Sequence, residues 1–228
     1  MLFRQLFHQE SGTYTYLLGC EESKKATIID PVLENSQQYL KLIEQLDLNL
    51  SMAIDTHTHA DHVTALGELR DLTGCTTVMG EHSKADCVSK TVGDGDVLEI
   101  GSIELKCLYT PGHTNESFSF VSGNRVFTGD VLLIRGSGRT DFQGGDAGAS
   151  WDSIQGKLFT LPEQTLVYPA HDYKGWTVSS IAEEKRHNPR LTGKNRQQYI
   201  DIMNNLDLPD PKMMDIAVPA NLRCGRSS

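Results

Sequence analysis

The chain has 228 residues, 38% of them hydrophobic and 22% charged, with a formal net charge of -9. This balance predicts one soluble globular domain spanning residues 1–228 and excludes a disordered chain. The acidic charge argues against a nucleic-acid partner, and no apolar run approaches the ~18 residues of a membrane helix. Because the first residues show neither a secretory nor a transit pattern, we expect a cytoplasmic protein.

Short runs rich in β-branched and aromatic residues alternate with amphipathic helical patterns. They predict a mixed α/β (α+β) class with two mixed sheets and helices on the outer faces, because strands both follow one another and alternate with helices. The glycine-rich stretch 135–148 is predicted to be a functional loop. The predicted strands are 13–19, 26–30, 51–55, 76–80, 103–110, 117–121, 125–130 and 165–170. The predicted helices are 35–46, 61–72, 150–161, 177–186 and 194–206.

The cysteines are odd in number, widely scattered and without a CxxC pair. Neither a disulfide framework nor a thiolate zinc site is therefore expected. We predict that all five are free thiols in a reducing compartment, and that those before residue 200 are small core residues. They are Cys20, Cys75, Cys87, Cys107 and Cys224.

The stretch THTHADH, residues 56–62, places three histidines and an aspartate within seven positions. It follows one predicted strand, and three further predicted strands also present a histidine or an aspartate where they stop or in the turn that follows. A rigid sheet can aim such side chains into one pocket at its edge. We predict that Asp61 and His62 open the next helix and turn back toward the same point. The candidate metal ligands are His57, His59, Asp61, His62, His113, Asp130 and His171.

A set of nitrogen and oxygen ligands without thiolate suits Zn(II), Fe(II) or Mn(II) almost equally, so the spacing alone does not choose the metal. If all candidates bind, two metals share Asp130 and the chemistry is hydrolysis by a metal-bound hydroxide. If two histidines and one aspartate bind, the site is the facial triad of non-haem Fe(II) oxygenases. His8, His82 and His187 have no comparable placement, and we interpret them as surface or structural residues.

The HxHxDH motif, followed by a strand-end His, Asp and His, resembles the metallo-β-lactamase superfamily over residues 10–175. That resemblance implies an αββα sandwich. Longer stretches narrow it: THTHADHVTALGELR, YTPGHT, VFTGDVLLIRGSGRTDFQGGD, YPAHDYKGWTVSSIAEEKRHNPRL and DIAVPANLRCG are similar to the persulfide dioxygenase family. This second resemblance runs nearly from end to end.

The resemblance implies a catalytic site with one Fe(II) per chain, held by His57, His113 and Asp130. Four further residues would orient the ligands and order water. The implied reaction oxidises glutathione persulfide with dioxygen and water to sulfite and glutathione. A homodimer and a functional link to a rhodanese-type sulfurtransferase are further expected partners, while a membrane is not. The four orienting residues are His59, Asp61, His62 and His171.

Substrate contacts are expected around the same pocket. Arg139 resembles a family arginine near the site and suits a glutathione carboxylate, although a salt bridge within the glycine-rich loop is the alternative. Asp172 and Tyr173 directly follow His171 and are expected to line the pocket. Arg223 and Cys224 match the family's C-terminal RCG, which places them as further substrate-binding candidates.

Two other functions compete with this prediction. A binuclear zinc thioester hydrolase of glyoxalase II type uses the same candidate ligands, but the loop at 135–148 and the ending AVPANLRCG argue against it. A metal-free binding protein of the same fold would have at least one ligand position replaced. None is replaced in this chain.

Overall fold

The computed structural model describes residues 1–209, 211 and 213–226, which alternate between strands and helices. In the described part of the chain, the helices all lack the length and apolar character of a membrane span. The strands are β1 (Leu2–His8), β2 (Thr13–Gly19), β3 (Lys25–Ile29), β4 (Asn49–Ile54), β5 (Thr76–Gly80), β6 (Lys90–Val92), β7 (Val97–Ile100), β8 (Ile103–Tyr109), β9 (Phe118–Ser122), β10 (Arg125–Gly129), β11 (Leu166–Pro169) and β12 (Ser179–Ser180). The α-helices are α1 (Ser36–Gln45), α2 (Leu66–Thr73), α3 (Ala147–Gly156), α4 (Ile181–His187), α5 (Arg196–Asn204) and α6 (Met214–Asn221).

The first of two compact units comprises residues 1–92, residues 97–105 and the described part of 210–228. Its sheet has the order β1-β2-β3-β4-β5-β6; β1 to β3 pair antiparallel, and β3 to β6 pair parallel. Tyr39 of α1 and Leu69 of α2 pack with Ile28 of the sheet in one apolar cluster. Helix α2 ends at Gly74, whose left-handed φ of 73° suits glycine at a helix C-terminus.

The second unit comprises residues 93–96 and 106–209. The second sheet has the order β12-β11-β10-β9-β8-β7, in which β10 and β11 are parallel and β8 to β10 are antiparallel. Asp146 caps α3 by accepting a hydrogen bond from Ala149 N at 2.6 Å, so the glycine-rich loop ends where this helix begins. Val126 of the sheet packs with Ile154 of α3 and Tyr199 of α5.

The predicted class is confirmed: both sheets are mixed, and helices accompany them. All eight predicted strands are present, with ends displaced by at most two residues. The sequence analysis missed the short strands β6, β7 and β12, together with β1 and α6. That residues 1–228 form one domain stays a prediction.

The predicted helix at 61–72 is wrong at its start, because α2 begins at Leu66. Residues 61–65 instead form an irregular turn in which two backbone amides donate to distant residues. Thr64 N donates to the Asn221 side chain at 2.8 Å, and Ala65 N donates to Pro31 O at 2.8 Å. Asp61 and His62 therefore do not open a helix.

The prediction that every cysteine is a free thiol is wrong for two of them. Cys87 and Cys224 form a disulfide, with their Cα atoms 5.9 Å apart and a sequence separation of 137 residues. Cys224 is brought to this position because its carbonyl oxygen accepts a hydrogen bond from Gly67 N of α2 at 2.9 Å. Cys20, Cys75 and Cys107 are buried thiols, as predicted.

Candidate metal centre

His57 follows β4 and is held by a chain of hydrogen bonds that begins at Asp30. The Asp30 carboxylate accepts from Thr56 N at 2.7 Å and from Thr56 Oγ1 at 3.0 Å. Thr56 Oγ1 also lies 2.9 Å from His57 Nδ1. Because the Thr56 hydroxyl donates its single hydrogen to Asp30, its oxygen must accept a hydrogen bond from His57 Nδ1–H. Neutral His57 then carries its lone pair on Nε2, the form that ligates a metal.

His59, Asp61 and His62 form a cluster in the turn before α2. One potential ligand atom from each lies within 4.8 Å of the others. Thr13 Oγ1 donates to Asp61 Oδ2 at 3.1 Å, and the same carboxylate oxygen lies 2.9 Å from His62 Nδ1. His62 Nε2 is buried and has no hydrogen-bond partner among the described residues. This cluster therefore also has the donor chemistry of a cation site.

Two buried aspartates, Asp30 and Asp55, lie within hydrogen-bond distance of residues in that turn. Asp30 Oδ1 lies 3.1 Å from His59 Nε2, and Thr64 Oγ1 donates to Asp55 Oδ1 at 3.1 Å. Burial raises the pKa of both carboxyl groups, and that of Asp55 lies well above its ordinary value because the charge of Asp30 raises it further. The hydrogen bonds from Thr56 N and Thr56 Oγ1 oppose the rise in the pKa of Asp30. Of the two carboxyl groups, Asp30 is the one that lies within hydrogen-bond distance of the His59 ring.

Asn221, at the end of α6, ties the C-terminal segment to the same turn. Its Nδ2 donates to His59 O and to His62 O, both at 2.9 Å, and its Oδ1 accepts from Thr64 N at 2.8 Å. The side chain is 2% exposed. One amide therefore satisfies three backbone groups of the turn that carries the histidines, which fixes its shape.

In the second unit, His113 follows β8 and Asp130 follows β10. His113 Nδ1 lies 2.8 Å from Arg139 O, and a carbonyl oxygen only accepts, so Nδ1 carries the proton. His113 Nε2 lies 3.6 Å from Asp130 Oδ2, so the ring and the carboxylate can form an ion pair or share a cation. Asp130 Oδ1 is buried without a hydrogen-bond partner among the described residues. A buried carboxylate oxygen left in this way favours a cation beside it.

The glycine-rich loop passes close to His113, because the Arg139 carbonyl oxygen of this loop accepts the hydrogen bond from His113 Nδ1. Gly138 N donates to Asp130 O at 2.7 Å. A Cβ at Gly138 would collide with that oxygen and crowd the His113 ring. Glycine is therefore required where the loop crosses between the histidine and the aspartate.

His171 follows β11, and its Nε2 lies 3.7 Å from Asp130 Oδ2. The ring of Tyr173 stacks on that of His171 with centroids 5.9 Å apart and is 75% exposed, so it can meet a ligand. Asp172 is buried, and its Oδ2 accepts from Lys174 N and Trp176 N, both at 2.7 Å. The carboxylate of Asp172 thus shapes its own loop.

The guanidinium of Arg139 is bound within the second unit. Nε and Nη2 donate to the two oxygens of Asp141 at 2.7 and 2.8 Å, and Nη1 donates to Pro209 O at 2.7 Å. This is the salt bridge within the loop that the sequence analysis held as the alternative to substrate binding. Arg223 is exposed in the first unit, whereas Cys224 is buried in its disulfide.

The structure thus groups the predicted residues in two sets. The first unit carries His57, His59, Asp61 and His62, and the second carries His113, Asp130 and His171. Asp30 and Asp55 were not among the predicted site residues, although each ends a predicted strand, as Asp130 does. Asn221 had no comparable signal.

Comparisons with known proteins decide the family. The family model of the metallo-β-lactamase superfamily matches residues 9–171. Mouse (Mus musculus) persulfide dioxygenase ETHE1, mitochondrial, is 49% identical over 228 residues, covering 99% of this chain and 89% of that protein. The crystal structure of ETHE1 from Myxococcus xanthus matches with a TM-score of 0.98 and 55% identity, covering 99% of this chain and 100% of that one. The chain belongs to the persulfide dioxygenase family.

The persulfide dioxygenase resembles glyoxalase II type enzymes less closely. A hydroxyacylglutathione hydrolase of Rhodospirillum rubrum is 35% identical over 167 residues, covering 72% of this chain and 63% of that protein. The metallo-β-lactamase fold and the family named from the sequence motifs are both confirmed. The roles of the individual site residues stay predictions.

Proposed function

We propose that this persulfide dioxygenase oxidises glutathione persulfide with dioxygen and water to sulfite and glutathione, with one Fe(II) per chain held by His57, His113 and Asp130. Family membership supports the reaction class. The observation that carries the metal assignment is the Asp130 carboxylate, whose Oδ1 is buried without a hydrogen-bond partner among the described residues and whose Oδ2 lies 3.6 Å from His113 Nε2. A cytoplasmic location, a homodimer and a rhodanese-type sulfurtransferase link stay predictions.

The proposed ligands fit an iron centre by their chemistry. Two neutral imidazoles and one carboxylate are the donor set of the facial triad. Both histidines offer Nε2, because Thr56 Oγ1 and Arg139 O occupy the respective Nδ1 atoms. When bound, Fe(II) supplies a redox-active centre with open positions for the persulfide sulfur and dioxygen.

The chain's own residues provide position and shielding. Asp30, through Thr56, and the Arg139 carbonyl hold the two ligating rings at fixed angles, which keeps the reactants aligned. We propose that His59, Asp61, His62 and His171 order water beside the ligands. Tyr173, Asp172, Arg223 and Cys224 stay substrate-binding candidates. A substrate carboxylate would have to displace Asp141 from the Arg139 guanidinium. We therefore propose that the main role of Arg139 is to position His113.

The test is dioxygen uptake on adding glutathione persulfide to protein loaded with Fe(II), compared with the same protein loaded with Zn(II). We expect uptake with iron alone, accompanied by sulfite. Persulfide derived from cysteine, measured in parallel, reports the requirement for glutathione. Absence of uptake by folded, iron-loaded protein would reject the proposal.

A binuclear zinc hydrolase acting on glutathione thioesters is the second candidate. Its support is the His62 Nε2 atom, which is buried without a hydrogen-bond partner in the described part of the chain. A second metal beside His59, Asp61 and His62 would use that atom. Hydrolysis of a glutathione thioester by the zinc-loaded protein, without oxygen uptake by the iron form, would favour it.

The variant His62→Ala separates the two functions. If one iron is bound without His62, we expect metal content close to the wild type at saturating Fe(II), and activity lowered about 10- to 100-fold, as for residues that orient ligands. Metal analysis with an oxygen electrode measures both. His82→Ala is the matched control, because His82 is exposed and lies outside the cluster. A wild type with two metals that falls to one in His62→Ala would contradict the mononuclear site.

A further inference from the structure

The proposed reaction assigns no chemical step to the disulfide between Cys87 and Cys224. It lies within the first unit and joins the segment after β5 to the residues that follow α6. Disulfides inside reducing compartments are usually transient, catalytic or redox-sensing rather than structural. Because no step of the proposed reaction uses it, this bridge is a candidate for thiol chemistry of its own.

The two bridged residues differ in exposure. Cys224 is 1% exposed, whereas Cys87 is only partly buried. Thiolate attack on a disulfide requires access to one sulfur along the bond, with the other sulfur as leaving group. The greater exposure of Cys87 favours attack at its Sγ, with Cys224 leaving as the thiolate.

The bridge lies on α2, next to the turn that carries the histidines. Arg70 of α2 donates to Cys87 O, and Gly67 of the same helix donates to Cys224 O at 2.9 Å. Three residues before Cys224, Asn221 binds His59 O and His62 O. A short series of hydrogen bonds thus connects the bridge with the HxHxDH turn.

We propose that the Cys87–Cys224 bridge is a thiol-exchange site for a low-molecular-weight thiol. The thiolate forms a mixed disulfide with Cys87 as the Cys87–Cys224 bond breaks, and Cys224 leaves with the electron pair. A second thiol then attacks the mixed disulfide and releases Cys87 as a thiolate. The protein disulfide gains two electrons, and two thiols become one small-molecule disulfide. Opening of the bridge loosens the C-terminal segment on the HxHxDH turn.

This site needs only a thiol, so its test is independent of the dioxygenase reaction. Full-length protein prepared without reductant is expected to show three titratable cysteines after denaturation, and five after reduction. Brief treatment with glutathione, followed by acid quenching and peptide mass spectrometry, should give the glutathione adduct on Cys87. Five titratable cysteines before reduction, or an adduct on Cys224 alone, would overturn the proposal.

The coupling to the turn is tested by hydrogen exchange of the intact protein, oxidised and reduced. Peptides containing the Thr64 and Gly67 amides should exchange on the order of tenfold faster after reduction, because both amides donate to the C-terminal segment. Cys87→Ser should exchange like the reduced protein under both conditions. Cys75→Ser, which alters a buried cysteine outside the bridge, should keep the redox dependence. Equal exchange of the oxidised and reduced wild type would refute the coupling, whether or not Cys87→Ser folds.

Discussion

Alanine at position 130 is expected to remove the bound iron and to lower persulfide oxidation by more than about 100-fold, the upper range for residues that only orient a ligand. Asp130 supplies the carboxylate of the proposed triad. Its Oδ1 has no hydrogen-bond partner among the described residues, and its Oδ2 faces both His113 and His171. Without the negative charge of Asp130, the imidazoles of the other two proposed ligands, His57 and His113, would hold a divalent cation weakly.

Metal content and oxygen uptake should be measured on the same Asp130→Ala preparation, with circular dichroism to verify folding. Asp152→Ala is the matched control, because this exposed aspartate of the second unit pairs with Arg196 at the surface. It should keep its iron and its activity. A folded Asp130→Ala protein that still binds stoichiometric iron would refute the assignment.

Asn221→Ala is expected to lower the free energy of unfolding by about 3 kcal/mol or more, since each buried polar group left without a partner costs about 1–3 kcal/mol. The substitution leaves Thr64 N, His59 O and His62 O unsatisfied in a buried turn. We also expect weaker iron binding, because His57 lies on the same stretch of backbone. Urea denaturation of the metal-free protein measures the first effect apart from the second.

Asn205→Ala provides the comparison for that measurement. Asn205 is exposed at the end of α5, and its side chain donates to Asp201 O at 2.7 Å. Water replaces this bond, so the change in unfolding free energy should stay within about 0.5 kcal/mol. Similar losses in the Asn205 and Asn221 variants would mean that the Asn221 amide does not hold the turn.

The sequence predicted the sheets and the strand-end ligands for one physical reason. A strand that stops at a turn leaves its next side chain at the sheet edge, and this rule placed His113, Asp130 and His171 together. The same rule applied to Asp30 and Asp55 would have found the carboxylates that support His59.

The features that the sequence did not predict depend on distant parts of the chain. The bridge joins residues 137 positions apart, and Asn221 contacts a turn 157 to 162 positions away. Local periodicity placed Val63 in a helix, but Thr64 N is bound to Asn221, so the helix starts later. Long-range hydrogen bonds override local propensity at such points.

The bond from His113 Nδ1 to the Arg139 carbonyl uses a main-chain acceptor, which every residue type possesses. Replacing the Arg139 side chain therefore does not delete the atom that sets the imidazole tautomer. The orientation of the His113 ring is instead sensitive to substitution of Gly138, where any side chain would push the loop away from that ring. A mutational scan of this enzyme would register the orientation of the proposed metal ligand His113 as intolerance at a glycine that bears no functional group.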